Sequence, residues 1–110
     1  MRTYTPDHWV VLEMKYGDET IRKVFSGWSG SYMYGASWKL SSGITKVNEF
    51  EDRYEFENFS GSLYVCRKNA YGMSGYMMSV FSSFEEDVKN SDNVSMEIVK
   101  EYDVQTRTQL

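Results

Sequence analysis

The chain has 110 residues, about the size of one domain, and halving it would leave neither part able to bury a useful core, so a single domain over residues 1–110 is expected. Twelve Lys and Arg against sixteen Asp and Glu leave a formal net charge of -4, which offers no general attraction to nucleic acid or to an anionic membrane. Cys66 is the one cysteine, the opening Met1-Arg2-Thr3-Tyr4-Thr5 lacks the apolar stretch of a secretory signal, and no apolar run approaches the ~20 residues that span a bilayer, so a reducing cytoplasm is the expected setting.

The hydrophobes are of an uneven kind: three Trp, nine Tyr, six Phe and seven Met stand against four Leu and two Ala. Aromatic and β-branched side chains fit a pleated, half-buried surface, whereas the strong helix formers are scarce, so sheet is expected to dominate. From Trp9 to Tyr16, Val10, Leu12, Met14 and Tyr16 alternate with Glu13 and Lys15, the pattern of a half-buried strand. Gly17-Asp18 supplies a turn and Ile21 to Phe25 resumes a strand, which predicts a hairpin.

Residues 26–43 interleave Gly and Ser with Trp28, Tyr32, Tyr34 and Trp38, with a short strand at Ser37 to Leu40 and with Gly27, Gly30, Gly35 and Gly43 as candidate turn or bulge positions. Residues 44–47 and 53–57 predict two strands around an acidic turn, Asn48 to Asp52, with Tyr54 and Phe56 inward and Glu55 and Glu57 toward water. Ser62 to Lys68 adds a strand, making an antiparallel meander of the middle. Met77, Val80, Phe81, Phe84 and Val88 then recur at helical spacing, and Ser74 is placed to cap a helix over residues 75–89. A last strand follows from Val94, and residues 104–110 lack pattern and are expected to fray. The class expected is α+β: a mainly antiparallel sheet of five or six strands with one helix across it.

Chemistry finds few footholds. His8 is the only histidine, and zinc wants about four ligands at recurring spacings, so no metal or cofactor is expected and Cys66 reads as a packed thiol. No serine stands in Gly-x-Ser-x-Gly, and the glycines miss the dinucleotide and phosphate-loop spacings, so no catalytic residues are assigned and a non-enzymatic role is expected. Glu49, Glu51, Glu55 and Glu57 lie close in sequence and are candidates for an acidic stripe facing a basic partner. Trp28, Tyr32, Tyr34 and Trp38, amphipathic rings on a Gly/Ser backbone, are candidate binding anchors.

The stretch GWSGSYMYGASWKLSSGITKV, followed by YEFENFSGSLYVCRKNAYGMSGY, resembles a family of small uncharacterised proteins encoded by tailed bacteriophages. The shared pieces are Ser37 to Ile44 and Ser60 to Lys68, with Arg67 shifting the basic residue by one, and the likeness covers roughly residues 26–76. It brings no catalytic residues to transfer. What it implies is context: an accessory or anti-defence protein that binds and modulates a host protein in the host cytoplasm, the aromatic segment anchoring and the acidic stripe steering. The competing expectation is a small-ligand binder that sequesters a nucleotide-like molecule by stacking it on Trp and Tyr rings. Exposed aromatics and an edge strand would also make a homodimer accessible.

Overall fold

The computed structural model describes residues 1–30 and 35–105. The chain is α+β, with eight strands in two four-stranded sheets and one α-helix among the described residues. The strands are Thr3–Tyr4 (β1), His8–Tyr16 (β2), Glu19–Trp28 (β3), Ser37–Leu40 (β4), Ile44–Glu49 (β5), Arg53–Asn58 (β6), Leu63–Arg67 (β7) and Val94–Ile98 (β8), and the helix is Gly75–Lys89 (α1). The first sheet runs β4-β3-β2-β8 and the second β1-β7-β6-β5. Seven of them fall on stretches where the sequence predicts a strand and the eighth, the two-residue β1, carries no pattern to read; the strands divide between two sheets where one of five or six strands was expected.

The β2–β3 hairpin turns through Gly17-Asp18, with Tyr16 opposite Glu19. Gly17 has φ 60 at the first central position, where two-residue turns matched to strand twist take glycine. That turn sets the register of the whole hairpin, out to His8 opposite Gly27. The β5-β6-β7 meander forms as the alternation requires, and β1 joins it in parallel, Thr3 beside Leu63.

Three layers result. Trp9, Val11 and Val24 of the first sheet pack against Tyr54, Phe56, Tyr64 and Cys66 of the second, together with Val99 and Val104. On the opposite face Val10, Leu12 and Phe25 pack under Met77 of α1, with Val80, Phe81 and Phe84 around them. β2 is therefore buried on both faces from Trp9 to Glu13 and is not the half-buried strand that its alternation suggested. Tyr71 contacts both cores, and its hydroxyl donates to the carbonyl of Val99. The indole N–H of Trp9 donates to the Arg67 carbonyl at 2.7 Å, tying the sheets together at the polar edge of the largest buried side chain.

The helix occupies the residues its periodicity predicts, and the Ser74 hydroxyl accepts from the N–H of Met77 at 3.2 Å. Gly27 lies inside β3, so it is neither a turn nor a bulge. What requires glycine there is space: a Cβ would run into Sδ and Cγ of Met77. The chain is also anchored where fraying was expected to begin. Val104 is fully buried, and Nη1 of Arg22 donates to the carbonyls of Asp103 and Val104 at 3.0 and 3.4 Å.

Candidate functional site

β3 and β4 position the two described members of the aromatic set on opposite faces of the first sheet. Gly27 is opposite Trp38 and Trp28 opposite Ser37, and paired residues share a face. Trp38 therefore lies on the helix side, and Trp28 on the side of the second sheet. The Trp28 indole N–H donates to the Thr5 carbonyl at 3.1 Å, and its ring meets the edge of Tyr4. Trp28 is half-buried, part of the seam between the sheets. Tyr32 and Tyr34 lie outside the described residues.

Trp38 is different. It remains 41 % exposed, yet its ring is held by edge contacts with Phe25 at 6.1 Å and Phe84 at 5.4 Å. Beyond Phe84 runs a groove of about 220 Å³ between the helix and the first sheet, lined by Met14, Tyr16, Leu40, Phe84, Val88 and Val94 among others. Its origin is geometric. A helix is about 10–12 Å across with its side chains, and a four-stranded sheet with strands about 4.8 Å apart is wider, so one helix leaves part of an apolar face uncovered. The sequence places Met14 and Tyr16 on the apolar face of a half-buried strand and Phe84 on the apolar side of a helix. The signal that they border a groove was the presence of only one helix for a sheet of several strands. Glu85, Glu86 and Asp87 are exposed on the helix, and Asp87 among them lines the groove, placing one negative charge on its rim.

The acidic stretch is not brought together as one stripe. Glu49 accepts from Nζ of Lys68 at 2.6 Å, and Glu51 stands exposed in the turn between β5 and β6. Glu55 accepts from Nε of Arg53 at 2.8 Å, and Glu57 accepts from Nδ2 of Asn48 at 3.2 Å. Arg53 also binds Asp52, and the register places Lys46 opposite Glu57. Glu55 and Glu57 thus sit on the outer face of the second sheet among cations, while the in-register partner of Glu49 is Tyr54, on the alternate face. Charges adjacent in sequence are divided by strand alternation.

Cys66 is fully buried, and burial pushes its thiol pKa up, so it is held as an unreactive SH. His8 is half-buried at the start of β2. Among the described residues no group of three or more His, Cys, Asp and Glu side chains is placed to hold a metal ion, and no helix is long and apolar enough to cross a membrane. A second cavity, of about 420 Å³, opens where β4 ends and the chain crosses to β5; Ile21, Ile44, Phe59, Thr20, Lys23 and Thr45 are among its lining. Phe59 at its rim is 85 % exposed.

Comparison with known proteins gave no match to any family model, curated protein or solved structure.

Proposed function

We propose that this protein acts by binding another protein, without chemistry of its own, and that the groove beside Trp38 is the contact surface. The observation that carries the reading is the state of Trp38, exposed enough to be covered by a partner and already fixed by Phe25 and Phe84. A preordered aromatic loses little side-chain entropy on binding, and desolvated Trp anchors are worth about 2 kcal/mol or more. The exposed Glu85, Glu86 and Asp87 of α1 favour a partner segment that is basic as well as apolar. With the resemblance to tailed-phage proteins, the reading becomes an accessory or anti-defence protein directed at a host protein.

Capture from bacterial lysate followed by surface plasmon resonance tests this. Trp38→Ala is expected to speed dissociation from the captured partner with an unchanged circular dichroism spectrum, and neutralising Glu85, Glu86 and Asp87 together is expected to slow association, less so at high salt. A folded Trp38→Ala protein that dissociates at the native rate would remove the groove from the interface.

A second reading, sequestration of a small ligand, is favoured by the cavity of about 420 Å³ beside Phe59, a volume in the range of ligand pockets. Trp28 and Trp38 do not line it, so the stacking ring there would be Phe59. Native mass spectrometry of freshly purified protein tests it: a bound small molecule that is lost in Phe59→Ala supports this reading, and protein that carries none from any lysate counts against it.

A further inference from the structure

β8 is the outer strand of the first sheet, hydrogen-bonded to β2 alone among the described strands. Two flanking bonds fix the direction of its main-chain groups: the Val99 N–H donates to the Val11 carbonyl at 2.9 Å, and the Gly17 N–H to the Asn93 carbonyl at 2.8 Å. In an antiparallel ladder these directions alternate, so Ser95 and Glu97 also turn toward β2, while Val94, Met96 and Ile98 present N–H and C=O to the open side. The sequence Val94-Ser95-Met96-Glu97-Ile98 is symmetric in polarity about Met96. Ile98 is 39 % exposed, as an apolar residue awaiting cover on an edge would be.

We propose that two copies of this chain pair through β8, antiparallel and centred on Met96, joining their four-stranded sheets into one. The register follows from the outward groups. Met96 exchanges both main-chain bonds with Met96 of the second copy, and Val94 exchanges both with Ile98 in each direction. On the face turned away from the helix, Lys15 is opposite Ser95 within one copy, and Ser95 is opposite Glu97 of the second. Lys15 then lies two strand spacings, roughly 10 Å, from that Glu97 with only a serine between them, a distance its side chain can cross. The pairing occurs twice by symmetry. Both Lys15 and Glu97 are exposed, so the complementarity costs no burial of an unpaired charge. A strand edge of matching pattern and charge identifies the occupant as a second copy of the chain.

Sedimentation equilibrium on the full chain across the micromolar range tests this. Twice the 12.9 kDa chain mass is expected. Glu97→Lys sets like charges together at both symmetric positions and is expected to weaken association about tenfold, and Lys15→Glu combined with Glu97→Lys to restore it. Ile98→Pro deletes an outward N–H without touching a bond to β2 and is expected to give monomers. Circular dichroism checks each fold, and the charge pair decides the matter if the proline variant unfolds. A native chain that stays monomeric, or a dimer indifferent to both Glu97→Lys and Ile98→Pro, would overturn the proposal.

Discussion

At Gly27 one hydrogen stands where a methyl group would meet Met77, and the closeness of the helix to β3 depends on that difference. Gly27→Ala should cost about 1–3 kcal/mol in denaturant titrations, the usual range for overpacking a core. Met77→Ala should be destabilising alone yet recover part of the loss when combined with Gly27→Ala, because it opens the space the methyl needs. Tyr71 and Tyr64 act on a different variable. Burial pushes both phenols up to about 12 from the ordinary 10. A folded-state pKa above the unfolded value means that the folded form holds its proton more tightly, so this stability is fully present below about pH 10 and is lost as pH rises from about 10 toward 12. Alkaline unfolding should therefore coincide with tyrosine ionisation, followed by the ultraviolet absorption of the phenolate. Tyr71→Phe should remove part of that pH dependence while costing about 1 kcal/mol at neutral pH for the lost bond to Val99.

Among the elements, the helix was the most legible, β1 was not legible at all, and in β2 the strand was legible but not its burial on both faces. A 3.6-residue period with a serine at its start leaves little choice, and α1 begins and ends where that pattern does. In β2 the apolar run Trp9 to Leu12 hides a second buried face, because an alternation with both phases apolar cannot say which layer each phase meets. The Glu13–Arg22 pair was within reach of the sequence, since counting outward from a two-residue turn at Gly17-Asp18 sets these residues opposite each other. Nε of Arg22 donates to Glu13 at 3.0 Å, both side chains are buried, and the same guanidinium holds the carbonyls of Asp103 and Val104. Glu13→Ala should cost about 3–5 kcal/mol, the penalty for leaving one partner of a buried pair unmatched. Hydrogen exchange should also show faster labelling at residues 101–104, the segment Arg22 fastens. Unchanged protection there would mean that burial of Val104 alone holds the segment.

For the whole molecule, the α+β class was readable from the aromatic and β-branched composition and the single helical period, whereas the division into two sheets was not. Which strands share a sheet depends on pairings far apart in the chain, and no local pattern records that β3 leads through β4 into a different sheet at β5. The same holds for the candidate site: Trp28 and Trp38 were both legible as candidate anchors, but that they turn to opposite faces required the register with β4. The parallel pairing of β1 with β7 has a further consequence, in time. Thr3 and Tyr4 leave the ribosome about 60 residues ahead of their partners Leu63 and Tyr64, a delay of several seconds at roughly 5–20 residues per second. The β2–β3 hairpin can close during that interval, but the second sheet cannot be completed until β7 has emerged. High contact order of this kind places refolding in the millisecond-to-second range. The buried Trp9 indole, seated between the sheets, should report in stopped-flow fluorescence a slow phase that ends only when β1 has found its late-arriving neighbour.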